Sequence, residues 1–501
     1  INGMVINNVN TSKPGMIGWK IISPEYIEKL VPLAELLRSY GIKTYISVSF
    51  AAPMRVGGLE TADPLDADVA SWWADTADRI YSRIPDFGGF LVKADSEGEP
   101  GPHSYERDHS QGANVLAAAL KPYGGIVLWR AFVYGGAASN KDRAAQAFEL
   151  FKPLDGRFAD NVIVQIKNGP VDFQVREPVA PLFGQMPETN LMIELQVTQE
   201  YTGHATHLCY LVPQWKSFLG FDTHANGSGT TLARIVDGSA HGYKHAGITG
   251  VSNFGDQRNW TGHHLAQANA YGYGRLAWNP GLTAEKITDE WVKMTFGTDP
   301  AVVEIISKMM LGSWKVYEDY TSPLGVGVMC DARHYGPNPK GRVAFHHADP
   351  DGVGYDRTAA TGSGYAAQYH MPVAKRYESL ESCPDEHLLF FHHVPYTHRL
   401  HSGKTVIQHI YDSHIDGVQK VEESIVTWHS LKGRIDDARY EHVLSRLERQ
   451  FKDAVLWRDS INQYFLVLSG VEHRKGSLGQ DSAASVPDPV AAENSVAIDG
   501  Q

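Results

Sequence analysis

From its start to about residue 280 the chain alternates short apolar, β-rich runs with longer amphipathic runs. The apolar runs fall at residues 4–10, 42–50, 87–95, 125–132, 161–167, 191–198 and 248–253. Most are continuously apolar rather than alternating, the pattern of parallel strands covered on both faces. The stretches between them carry helix signals. Ser23-Pro24-Glu25 supplies an N-cap, a proline at the first helical position and an acidic first turn, and Gly41 closes that helix. Further helices are expected over residues 65–82, 111–119, 143–151 and 207–219.

Seven strands in βα order fit two architectures. An open doubly wound sheet would carry a Gly-rich phosphate loop after an early strand, and this sequence has none. A closed barrel needs eight strands. The chain begins at Ile1 with no basic-then-apolar leader, and its first ten residues already read as a strand, so it is expected to be a piece of a longer protein. The expected fold is therefore α/β, a (β/α)8 TIM-type barrel over residues 1–282 with its first strand missing.

Beyond residue 283 the pattern becomes mainly helical, with long periodic runs at 284–296, 300–320 and 437–469. Val443, Leu444, Leu447, Phe451, Ala454 and Val455 fall on one face of the last run. An α-helical C-terminal domain over 283–475 is expected, followed by a disordered tail over 476–501 that is rich in Ala, Ser, Pro and Gly.

Composition narrows the function classes. The chain is 43% hydrophobic and 20% charged, as suits a globular protein with a large core. Its net charge of −12 argues against a nucleic-acid partner. No run approaches the ~18 apolar residues that span a membrane. Cys209, Cys330 and Cys383 are too scattered for a disulfide framework or a thiolate metal site and are expected to be buried and inert. That fits a reducing compartment, and the expected location is the cytoplasm. The histidines lack metal-ligand spacing. His346-His347 and His392-His393 would point to opposite faces of a strand, His409 and His414 are five apart, and no His-Glu-x-x-His occurs. Neither a metal nor a cofactor is expected.

The chemistry of a parallel barrel collects at the C-terminal strand ends. Those ends carry Lys93, Asp95 and Glu97 after the third visible strand, Trp129-Arg130 at the fourth, and Lys167 and Asp172 at the fifth. Glu200-Tyr201 follow the sixth, and Asn253, Asp256 and Trp260 the seventh. The acids suit hydrolysis of a glycoside, one protonating the leaving oxygen while another activates water. Lys93, Arg130 and Lys167 suit a small anion. Trp129, Tyr201 and Trp260 can stack on sugar faces. Each residue has a plainer reading: Glu97 and Asp172 as first-turn acids, the lysines in an ion network, Trp129 in the core. Their convergence on one barrel end favours the functional one.

Several strings resemble glycoside hydrolase family 67, the α-glucuronidases. They are Phe90-Leu91-Val92-Lys93-Ala94-Asp95-Ser96-Glu97, Gln165-Ile166-Lys167-Asn168-Gly169-Pro170-Val171-Asp172, Gln199-Glu200-Tyr201-Thr202-Gly203, Asn259-Trp260-Thr261-Gly262-His263 and Phe390-Phe391-His392-His393-Val394-Pro395-Tyr396. The resemblance runs from about residue 1 to 470. It implies an exo-acting, inverting enzyme that removes α-1,2-linked glucuronic acid, or its 4-O-methyl ether, from acidic xylo-oligosaccharides released from glucuronoxylan. It implies Glu97 as general acid, Asp172 and Glu200 as the pair that activates water, and Lys93, Arg130 and Lys167 as the cations that hold the uronate carboxylate. Tyr201 and Trp260 are expected at the substrate, and a homodimer through the helical domain is implied. The family's N-terminal domain and first strand have no counterpart here, so the chain alone is expected to fold poorly, with two strand edges unpaired. Residues 337–345 are short against the family pattern. Two other functions stay open: a glycosidase of a different uronic-acid oligosaccharide, and a uronate-binding protein without catalysis. The three intact carboxylates count against the second.

Overall fold

A computed structural model describes residues 1–6, 18–96, 98–132, 142–253, 255 and 258–474. Residues 7–10 of the first expected strand, Glu97, Asp256 and the expected tail lie outside the described residues.

The strands are β1 (Gly3–Ile6), β2 (Lys43–Ser49), β3 (Gly89–Lys93), β4 (Ile126–Arg130), β5 (Val162–Lys167), β6 (Leu191–Gln196) and β7 (Gly247–Val251). All six neighbouring pairs are parallel, and the sheet runs in chain order from β1 to β7. It curls into a half-barrel with helices around it and a helical C-terminal region, in agreement with a TIM-type barrel followed by helices.

Successive strand side chains point to opposite faces, and that rule places the site. Phe90 and Val92 of β3, Val127 and Trp129 of β4, and Val164 and Ile166 of β5 face outward into the large core shared with the helices. Leu91, Leu128 and Ile163 face inward as a separate small cluster, with Val5, Tyr45 and Met192 against it. Two residues further along, the same inward parity brings Lys93, Arg130 and Gln165 to the barrel mouth. Lys167 lies one step beyond Gln165, and Glu194 and Gln196 follow Met192. β3 fits against β4 because Gly89 has φ of +138°, and a Cβ there would lie 1.8 Å from the Ile126 carbonyl oxygen.

Two helix boundaries differ from the sequence pattern for clear reasons. The helix expected from residue 111 starts earlier, at His109–Leu120, because Asp108 and Gln111 form a reciprocal capping box. The helix expected from residue 207 starts only at Val212–Leu219. The backbone N–H groups ahead of it are taken by side chains from elsewhere: Leu208 donates to Gln450 (2.9 Å), Tyr210 to Ser313 (2.8 Å) and Leu211 to Asn269 (2.8 Å). Donors satisfied this way gain nothing from a helical turn.

The helical region contains Ala284–Phe296, Pro300–Thr321, Val406–His429 and Asp437–Ser469. It is tied to the barrel by buried polar contacts. Arg176 donates twice to Glu318, at 2.9 and 2.6 Å, and the Trp314 indole donates to the Val175 carbonyl at 3.0 Å. All three cysteines are buried thiols, and burial pushes Cys330 and Cys383 up to about 12. Among the described residues no helix is long and apolar enough to cross a membrane.

The contact at Gly89 yields a test of the sheet. Gly89→Ala is expected to lower unfolding stability by about 3 kcal/mol or more, because backbone must move to admit the methyl group. A urea midpoint equal to that of the parent protein contradicts this packing.

Candidate functional site

The three strand-end cations are all buried: Lys93 at 2% exposure, Arg130 and Lys167 at 6% each. They gather around one aromatic ring. The Lys167 ammonium lies 3.1 Å, the Arg130 guanidinium carbon 5.2 Å and the Lys93 ammonium 5.8 Å from the centroid of Phe132. Buried cations need anions. Arg130 donates to both oxygens of Glu194, at 2.9 and 2.6 Å, and the Gln165 amide donates to the same carboxylate at 2.6 Å. Burial pushes Glu194 up, but Arg130, the Lys167 charge and the Gln165 amide together outweigh it and hold the carboxyl below its ordinary range. Lys167 pairs with Asp172. Burial pulls the Lys167 ammonium down while Asp172 opposes that pull.

Asp172 is delivered by the loop after β5, which folds around the buried Glu177. That carboxylate accepts from the backbone N–H groups of Val171 (2.7 Å), Asp172 (3.0 Å) and Gln174 (2.6 Å). A side chain at Gly169 would collide with Glu177, so glycine suits that position. Both Asp172 oxygens are engaged, one by Lys167 and the other by the Tyr201 hydroxyl at 3.0 Å. Burial pushes Asp172 up, yet the Lys167 charge and hydrogen bonds from Lys167 and Tyr201 bring it below the usual carboxylate range. Burial and the nearby Asp172 keep Tyr201 protonated, its hydroxyl pushed well above ordinary phenols.

Glu200 is more open than Asp172, its side chain 35% exposed against 16%. One Glu200 oxygen accepts from the Gln196 amide at 3.0 Å, and the other lies 3.1 Å from His334 Nδ1. Lys93, Arg130, Lys167, Asp172, Glu200 and Tyr201 all line one cavity of about 1120 Å³ at the C-terminal ends of the strands. These are six of the eight residues to which the family resemblance gave a catalytic or substrate-binding role.

The other two are Glu97 and Trp260. Glu97 lies outside the described residues. Trp260 is 38% exposed, with φ of +48°, and is not part of the cavity wall. The turn that carries it leans on the last helix, where the Asn259 amide sits 3.4 Å from His442 Nε2. Asp95, grouped with the strand-end acids from sequence, also turns away. It adopts φ of +54° and accepts from the His103 backbone N–H at 3.2 Å, with His103 Nδ1 at 3.0 Å. Trp129 is fully buried and donates to His109 Nδ1 at 3.3 Å, which makes it core rather than a sugar platform.

Asp95, His103 and His109 form the described cluster that could hold a metal ion, with ligand atoms within 4.8 Å of one another. Here these atoms are engaged with each other and with Trp129, and they knot the loop after β3 to the following helix.

The structure adds residues that the sequence reading passed over. Glu194 sits inside the apolar run of β6, and an acid in a strand buried on both faces signals a buried partner. Phe132, Gln165 and Gln196 complete the mouth. His334, in a loop of the C-terminal region, has no such signal in its surroundings. That loop is held by Tyr335, whose hydroxyl binds Asp453, while the Trp457 indole donates to the Tyr335 carbonyl at 3.2 Å. Burial pushes Asp453 up, but hydrogen bonds from His207, Arg449 and Tyr335 outweigh it and hold the carboxyl at about 2.

Fold and cavity together define a TIM-type barrel protein with its polar residues at the C-terminal strand ends. The sequence matches the glycosyl hydrolase family 67 middle domain over residues 1–260 and the glycosyl hydrolase family 67 C-terminus over residues 261–478. The chain belongs to glycosyl hydrolase family 67. It is 47% identical over 490 residues to a "Probable alpha-glucuronidase A" of Aspergillus clavatus, covering 96% of this chain and 58% of that protein. It is 46% identical over 492 residues to "Alpha-glucuronidase A" of Emericella nidulans, covering 96% of this chain and 57% of that protein. The chain thus spans less than three fifths of these relatives. A Thermobaculum terrenum O-GlcNAc hydrolase mutant matches at 10% identity with a TM-score of 0.38, over 94% of this chain and 78% of the other, too distant to carry an argument.

The Asp453 cluster makes a pH-dependent prediction. Its folded pKa of about 2 lies below the ordinary 3.8, so its stabilisation is complete above about pH 4 and is lost as pH falls toward 2. Asp453→Asn is expected to cost about 2 kcal/mol near neutrality, and the gap to the parent protein should close on acidification. Denaturation curves between pH 7 and pH 2 that keep a constant gap contradict this.

Proposed function

We propose that this chain is the catalytic part of an α-glucuronidase that removes α-1,2-linked glucuronic acid, or its 4-O-methyl ether, from the end of short xylo-oligosaccharides with inversion. The observation that carries the reading is the meeting of two acids and three cations on one cavity. Family membership and the names of the relatives support the sugar and its α-configuration. A buried cluster of Lys93, Arg130 and Lys167 matches a uronate carboxylate better than it matches a neutral sugar.

In this reading Glu97 protonates the leaving glycosidic oxygen, and the Asp172–Glu200 side admits the water. Inverting hydrolysis needs acid and base roughly 6.5–9.5 Å apart to leave room for that water. Asp172 already satisfies Lys167 and Tyr201, whereas Glu200 is the more open carboxylate. We therefore assign proton abstraction to Glu200 and orientation of the water to Asp172. Tyr201, locked in its protonated form, serves as a hydrogen-bond donor and not as a base. Glu194 fixes the plane of the Arg130 guanidinium so that it meets the substrate carboxylate in one orientation.

Proton NMR of the intact protein acting on aldotriouronic acid tests the proposal. The β-anomer of the free uronic acid is expected to appear first. Glu97→Gln, Asp172→Asn and Glu200→Gln should each lower kcat by about 10²–10⁴-fold. Release of the α-anomer, or faster cleavage of pectic fragments than of aldouronic acids, would overturn the reading.

A further inference from the structure

His334 comes from the C-terminal region, yet its imidazole lies between the two sides of the acid pair. Its Nδ1 is 3.1 Å from a Glu200 oxygen, its Nε2 is 3.3 Å from the Tyr201 hydroxyl, and its ring stacks on Tyr201 with centroids 4.2 Å apart. Tyr201 gives its single proton to Asp172, whose other oxygen meets Lys167. A row of contacts therefore runs from Lys167 through Asp172, Tyr201 and His334 to Glu200, and with the Tyr201 proton given to Asp172, His334 Nε2 can hydrogen-bond the Tyr201 oxygen only as the donor. An ionised carboxylate can only accept, so His334 Nδ1 must carry the proton that it shares with Glu200. That contact fixes one Glu200 oxygen, and the Gln196 amide fixes the other at 3.0 Å. Held at both ends, the carboxylate loses its rotational freedom and presents one set of lone pairs to the cavity.

The loop is built to hold this residue. His334 adopts φ of +63°, a left-handed conformation that a residue with a side chain takes only when its surroundings impose it. The imposition is visible. The Asp331 carboxylate accepts from the Arg333 and Tyr335 backbone N–H groups at 3.0 and 3.2 Å, and the Asp331 N–H donates to the Gly336 carbonyl at 2.7 Å. Tyr335, next in the chain, is clamped by Asp453 and Trp457 of the longest helix.

We propose that His334 is a positioning residue for Glu200, so that the C-terminal region completes the water-activating side of the barrel's active site. This rests on the reading of Glu200 as the group that takes the proton from water. It makes the helical region part of the reaction through one hydrogen bond.

The test compares the intact protein with His334→Ala and His334→Gln on aldotriouronic acid, with thermal unfolding run in parallel. His334→Ala is expected to lower kcat by about 100-fold with KM within about 3-fold, the loss that misplacing a reacting group by an ångström brings. His334→Gln keeps an amide donor within reach of Glu200 and is expected to recover at least about 10-fold of that loss, because a hydrogen bond to a charged carboxylate is among the stronger ones. A merely structural histidine would change the unfolding temperature or KM and would show no such recovery. A His334→Ala variant with parental kcat overturns the proposal and leaves the functional reading intact, as does an equal fall in both variants. An inactive parent protein overturns the functional reading itself, and the proposal with it.

Discussion

Charge pairing at the mouth of the half-barrel is the interaction on which the rest depends. Lys93, Arg130 and Lys167 point inward because each closes its strand on the inward parity, and there they are almost wholly removed from water. Such groups keep their charge only if acids answer them. Glu194 answers Arg130, and Asp172 answers Lys167. The ion pairs are therefore also a positioning device. The same contacts that make burial tolerable fix where the guanidinium and the carboxylate face the cavity.

The division of labour between the two halves of the chain follows from this. The barrel supplies the charged residues from strand ends, where sheet hydrogen bonding sets their positions closely. The helical region supplies support. Gln450 and Ser313 fix the backbone after β6, and Glu318 anchors Arg176 behind the Asp172 loop. His334 reaches Glu200 itself. A site assembled this way tolerates little relative movement between barrel and helices, since contacts from both regions converge on Glu200.

Much of this was legible in the sequence, and the reasons are physical. Continuous apolar runs broken by capped helices announce a parallel sheet, and all seven strands formed where the runs lie. A charged residue that ends such a run has to sit at the barrel end, so six of the residues singled out do share the cavity. Asp95 and Trp260 illustrate what position along the chain cannot reveal. Asp95 lies two residues past β3 and Trp260 nine past β7, and each has left-handed backbone and turns its side chain elsewhere. Glu194 was readable in principle, as an acid in a doubly covered strand. His334 was not, because its role depends on a contact with Glu200, 134 residues away in the chain.

The central claim is that the buried cations make this cavity selective for a sugar acid. Calorimetric titration of the intact protein with glucuronate and with glucose, in the same buffer and at two salt concentrations, tests it most directly. The account predicts that glucuronate binds at least about 30-fold more tightly than glucose, as expected for charge-assisted hydrogen bonds to one carboxylate. Equal affinity for the two sugars would contradict it.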